Sequence, residues 1–146
     1  MTIYTIGFTQ KTAEQFFESI KANGIEILLD VRLNNKSQLA GFSKGADLCY
    51  FLKEICGTKY IHCEEFAPTK ELLSAYQEGT VSWKEYEQTF DIIMDKRGAC
   101  KSFLSRFGAF ERICLLCSEP TPEHCHRRLV AERIQKENSG INIIHL

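Results

Sequence analysis

The amino-acid sequence predicts an α/β domain, built as a parallel or mostly parallel sheet of about five strands with helices on both faces. Three observations carry this. Short β-prone runs alternate with stretches whose apolar residues recur at helical spacing. Two capping boxes mark helix starts within that alternation. One strand candidate, Ile25 to Val31, is apolar almost throughout, as a strand covered on both faces must be.

The elements follow in order. Ile3 to Ile6 is the first strand and ends at Gly7. Thr12-Ala13-Glu14-Gln15 fits a capping box, Phe16, Phe17 and Ile20 give its helix one apolar face, and Asn23-Gly24 supplies a stop. Ile25 to Val31 is the second strand, interrupted by Glu26 and closing with Asp30. After Arg32 comes a polar loop, Asn34-Asn35-Lys36-Ser37-Gln38, continuing to Gly41-Phe42-Ser43. Leu48, Phe51, Leu52 and Ile55 repeat at helical spacing, and Gly57 ends that helix. Tyr60 to His62 is a short third strand. A loop with Pro68 precedes a helix near Lys70 to Gln77. Ser82-Trp83-Lys84-Glu85 is the second capping box, and its helix sets Trp83, Tyr86, Phe90, Ile93 and Met94 on one face, a stripe that reads as core. Arg112 to Cys117 is the fourth strand, a helix is expected from about Pro122 to Asn138, and Ile141 to His145 is the last strand. No repeat, low-complexity run or linker divides the chain, so residues 1–146 read as one domain. The layout is Rossmann-like, but the dinucleotide fingerprint and the nucleoside-triphosphate loop are both absent, so no cofactor of those kinds is expected.

Composition narrows the classes. The chain has 146 residues, of which 44% are hydrophobic and 25% charged. That is the balance of a globular domain. Its 18 Lys and Arg against 19 Asp and Glu give a formal net charge of −1, which excludes a polybasic tail and an acidic disordered chain. No apolar run approaches the roughly 18 residues needed to cross a bilayer, so no membrane partner is expected. Seven cysteines, an odd number, follow a start that runs straight into a strand. The expectation is a cytoplasmic protein with reduced cysteines. The sequence carries no signature of an oligomeric state.

In open α/β sheets, ligands bind beyond the carboxyl ends of the strands. The polar residues fall there: Gly7-Phe8-Thr9, Asp30 and Arg32, His62 to Glu65, and Cys117-Ser118-Glu119. The densest chemistry lies in Cys117-Ser118-Glu119-Pro120-Thr121-Pro122-Glu123-His124-Cys125-His126-Arg127-Arg128. Thr121 is the expected cap of the following helix, with Pro122 in its first turn, where free N–H groups attract anions. Arg32 and Arg127 are expected to clamp the anion. Cys125, beside His and Arg in a helix start, is the candidate reactive thiol. Glu119 or Asp30 is the candidate base, and His126 an acid or base near neutral pH. The ligand-binding candidates are therefore Arg32, Arg127, Thr9, Phe8 and Cys117. The catalytic candidates are Glu119, Cys125, His126 and Asp30.

Together, Thr5-Ile6-Gly7, Asp30-Val31-Arg32, Cys117-Ser118-Glu119 and Cys125-His126-Arg127-Arg128 resemble the domain-of-unknown-function family 488, in its short single-domain branch. Gly41-Phe42-Ser43-Lys44, Ala67-Pro68-Thr69 and Ser82-Trp83 to Tyr86 add to the likeness. The resemblance implies a compact α/β domain with a shared polar site and supplies no substrate. Many relatives carry a histidine directly after the first glycine, where this chain has Phe8, a departure that points to altered or lost chemistry.

The residues support binding, and processing, of an anionic phosphate-bearing ligand such as a nucleotide or nucleic-acid end. Thiol chemistry of the sulfurtransferase or cysteine-phosphatase kind ranks lower, because Pro120 and Pro122 withdraw N–H donors from an anion cradle. A zinc site from Cys114, Cys117, His124, Cys125 and His126 is weakened because Cys114 and Cys117 alternate to different strand faces, so no metal ligand is assigned. Two alternatives stay open: a non-enzymatic module presenting Arg127, Arg128, Arg133 and Lys136 to nucleic acid or an acidic protein, and a Cys/His metal-binding protein.

Overall fold

The computed structural model describes residues 1–36 and 40–146. Ser37 and Gln38 of the expected polar loop lie outside the described residues. Five parallel strands form one sheet: β1 (Thr2–Gly7), β2 (Ile27–Asp30), β3 (Lys59–His62), β4 (Arg112–Cys117) and β5 (Asn142–His145), in the order β3-β2-β4-β1-β5. The helices are α1 (Ala13–Ala22), α2 (Gly45–Phe51), α3 (Lys70–Gln77), α4 (Trp83–Lys96), α5 (Ala99–Phe107) and α6 (His126–Glu137). None is long and apolar enough to cross a membrane.

Strand alternation sorts two cores. Ile3, Ile27, Leu29, Ile113 and Leu115 face one side, where they pack against α3 to α6 through Leu72, Phe90, Phe103 and Val130. Tyr4, Ile6, Leu28, Cys114 and Leu116 face the other, against Phe16, Phe17 and Ile20 of α1, Leu48 of α2 and Leu52 just after it. Each such buried side chain stabilises the fold by about 1.5–3 kcal/mol before entropy is counted.

Local chemistry explains most element ends. Both capping boxes form, Thr12 with Gln15 and Ser82 with Glu85. Thr69 caps α3, and Gly57 closes the segment after α2 in the left-handed region at φ 67°. Four expectations need correction. The second strand is shorter than Ile25 to Val31. The helix from α2 widens into a π turn over Leu52–Cys56, which breaks its 3.6-residue period and leaves Ile55 42% exposed. Helix α5 has no counterpart among the expected elements; its N-cap is Gly98 (φ 58°), and it buries Ala99, Cys100, Phe103 and Phe107. Helix α6 starts at His126, not near Pro122, and its N-cap is Cys125, not Thr121. The prolines hold the preceding residues in a turn, closed by the Cys125 N–H donating to the Pro122 carbonyl at 3.2 Å.

Candidate functional site

Because β4 lies between β2 and β1, its carboxyl end brings Cys117 beside the loops that follow Asp30 and Gly7. Cys117 registers against Gly7, and the loops continue the contact: Thr9 donates to the Ser118 carbonyl through both its N–H (3.3 Å) and its hydroxyl (2.6 Å). Gly7 has no alternative here, since a methyl group would overlap the carbonyl oxygen of Glu119.

A cleft of about 440 Å³ opens at this edge. Its floor carries Cys117, Cys125 and His126, and Thr9, Arg32 and Asn34 line one side. Tyr76, Trp83 and Tyr86 also line it as an aromatic cluster, with ring centroids 5.4 Å apart for Tyr76 and Trp83 and 4.9 Å for Trp83 and Tyr86. Glu119 and His124, both exposed, complete the rim.

Arg32 is 3% exposed and held from several directions. Its Nε and Nη2 donate to the two carboxylate oxygens of Asp30 at 2.8 and 2.6 Å, and Nη2 also reaches the Ser43 carbonyl at 2.7 Å. Its guanidinium lies 5.1 Å from the centroid of the Phe8 ring. Nη1 is buried without a hydrogen-bond partner among the described residues. Burial opposes the Arg32 charge, but the bond to Asp30 and the nearby negative groups outweigh it and raise its pKa. Asp30 also accepts from the Tyr60 hydroxyl at 2.7 Å, which in turn accepts from the Asn35 amide at 2.9 Å. Burial first, then the Asp30 charge, pushes the Tyr60 phenol well above its usual value.

Arg127 is 0% exposed. Its Nη1 donates to the Glu119 carbonyl at 2.7 Å and to the Cys125 sulfur at 3.2 Å, while Nε and Nη2 have no partner among the described residues. No carboxylate pairs with it among the described residues. Its charge is felt nearby: burial and then Arg127 lower the pKa of both Lys11 and His145.

The thiols divide by environment. A hydrogen bond from Cys125 holds the Cys117 thiol below its usual value; burial opposes this, and backbone bonds at Ser118 and Glu119 and the Arg127 charge assist it. The same bond and burial push Cys125 well above the usual range. Cys114, on the opposite sheet face, is raised by burial alone before a small offset from Arg127. Cys63 and Cys100 are each pushed up to about 11, chiefly by burial. All seven cysteines are free.

His126 is 7% exposed. Its Nε2 lies 2.6 Å from the Val31 carbonyl, an acceptor only, so Nε2 carries the proton. Its Nδ1 lies 3.7 Å from the Cys117 sulfur.

A family model described as domain of unknown function DUF488 matches residues 12–134. The chain belongs to DUF488. No curated protein and no solved structure matched it. For this DUF488 domain, six of the candidate residues, Thr9, Arg32, Cys117, Glu119, Cys125 and His126, line the cleft. Three other candidates do not. Asp30 has its carboxylate occupied by Arg32 and Tyr60, Phe8 is core at 1% exposure, and Arg127 lies behind the floor. Glu119 holds Arg127 through its backbone carbonyl, not its carboxylate. The expected basic face of α6 is largely neutralised, with Arg128 paired to Glu87 and Glu132 and Arg133 to Asp91 and Asp95. Two residues here lie outside the candidates the sequence offers: Tyr60, which braces Asp30, and Trp83, whose helical stripe reads as core. Tyr60 registers opposite Leu28 on β2, so it shares a sheet face with Asp30, a signal visible only once the strands are paired.

Proposed function

We propose that this DUF488 domain binds an anionic, phosphate-bearing ligand, a nucleotide or a nucleic-acid end, in the cleft at the carboxyl edge of the sheet. The observation that carries the reading is Arg32. Asp30, Ser43 and the Phe8 ring fix its guanidinium, so it loses little further freedom on binding. Arg32 lines the cleft and keeps one buried amino group without a partner among the described residues, and a donor of that kind gains from a charged acceptor. The half-buried rings of Tyr76 and Trp83, backed by the buried Tyr86, suit a flat base, and such stacking is worth about 1–3 kcal/mol per base. Glu119, exposed at the rim, is the carboxylate available to move a proton on the bound ligand.

The test is thermal unfolding with nucleoside monophosphates, the matching nucleosides and inorganic phosphate, on the wild type and Arg32→Lys. Lysine keeps the charge opposite Asp30 but loses the fork. A ligand at 100 times its Kd stabilises by about 2.7 kcal/mol, a readily measured shift in Tm. Nucleotides should shift the wild type more than nucleosides, and Arg32→Lys should lose that difference. Equal shifts from nucleosides and nucleotides, or an unchanged response in Arg32→Lys, would refute the reading.

A further inference from the structure

We propose that Cys117, Cys125 and His126 form a three-ligand site for a soft divalent metal ion, zinc by preference, whose fourth position faces the cleft. The two sulfurs and an imidazole nitrogen all lie within 4.8 Å of one another, and the three residues are 6%, 2% and 7% exposed. A tetrahedral zinc with usual Zn–S and Zn–N bonds would separate a sulfur from a nitrogen by about 3.6 Å. The observed separation of Cys117 Sγ from His126 Nδ1 is 3.7 Å.

The outer shell is that of a ligand set. Nε2–H is donated to the Val31 carbonyl, so the Nδ1 lone pair is the one left to face the sulfurs. Arg127 donates to the Cys125 sulfur, as N–H groups do to coordinating thiolates. A buried Arg127 with no carboxylate partner among the described residues needs only one thiolate to balance it. A second cysteine and an imidazole lone pair at the same point exceed that need, but a metal uses all three. Two thiolates and an imidazole, with no carboxylate in the cluster, select zinc-like ions over magnesium or calcium. The charges also specify the fourth ligand: an ion of +2, two thiolates and Arg127 sum to +1, which an anion at the open position would balance. A bound phosphate oxygen or hydroxide has that charge. The metal site does not depend on the nucleotide reading, because metal is titrated with no nucleotide present.

Reduced protein is titrated with Co2+ and back-titrated with Zn2+. The expected result is one equivalent of cobalt, with thiolate-to-metal absorption and the visible bands of a tetrahedral ion, both removed by zinc. Cys117→Ser, Cys125→Ser and His126→Gln should each weaken binding by more than the roughly 10–100-fold that loss of an outer-shell partner costs. Cys114→Ala, on the same strand but the opposite face, should bind as the wild type does. Native mass spectrometry of the reduced wild type gives a second reading that needs no variant, one zinc per chain. No cobalt bands in folded, reduced protein, zero or several zinc ions per chain, or an equal loss in Cys114→Ala would overturn the proposal.

Discussion

Arg32 and Arg127 approach Cys117 from different elements, and both are almost wholly buried, at 3% and 0% exposure. Their surroundings differ in kind. Arg32 has a bidentate carboxylate, a carbonyl and an aromatic face, and keeps one donor over. Arg127 has a carbonyl and a sulfur, and keeps two nitrogens over. A buried charge left without its counterpart costs several kcal/mol. Asp30 meets that cost for Arg32. Arg127 has no such carboxylate among the described residues, and its one side-chain partner there is the Cys125 sulfur. The first arginine is thus a rigid donor at the cleft, and the second is a fixed field beneath it.

The largest effect should come from breaking the Arg32 side. Asp30→Asn removes the counter-charge and leaves a buried guanidinium, so urea denaturation should show a loss of about 3–5 kcal/mol. Arg127→Met replaces an arginine that has no carboxylate to strand, and should cost clearly less. Equal losses would erase the distinction. The same Arg127→Met should weaken cobalt binding about 10–100-fold, because an outer-shell N–H···S bond is lost. Tyr60→Phe removes one hydrogen bond to Asp30 and should cost about 1 kcal/mol.

The smallest effect sharpens the Arg127 side through pH. Burial and the Arg127 charge hold His145 below the ordinary histidine value, and its Nδ1 pairs with the Thr5 hydroxyl at 2.7 Å. The unfolded chain therefore binds this proton more readily than the fold does. The stabilising contribution is complete above the unfolded pKa of about 6.5 and is lost as pH falls through the lower folded value. Melting followed downward from neutral pH should show this fall in Tm, reduced in His145→Gln and in Arg127→Met.

Much of this architecture was legible in the sequence. Cys117 could be placed at a strand end, and both capping boxes at helix starts, because those signals sit within a few neighbouring residues. The starts of α5 and α6 were not. The α5 start has no side-chain cap, only Gly98 in the left-handed region, and the prolines before α6 delay the helix to His126. The burial of Arg127 was also hidden. Its polar partners come from the loop after β4 and the cap of its own helix, and room for its guanidinium comes from Gly7 at the end of β1. Periodicity tells which side of a strand or helix a residue takes, not whether a charge there finds water or a sulfur.

Trp83 is the single tryptophan of the chain and lines the cleft, so its fluorescence reports occupancy directly. Titration of the wild type with a nucleoside monophosphate should give a saturable change that Arg32→Lys strongly weakens and added salt diminishes. A folded wild type whose Trp83 emission shows no saturable response to any nucleoside phosphate would contradict the assignment of this cleft.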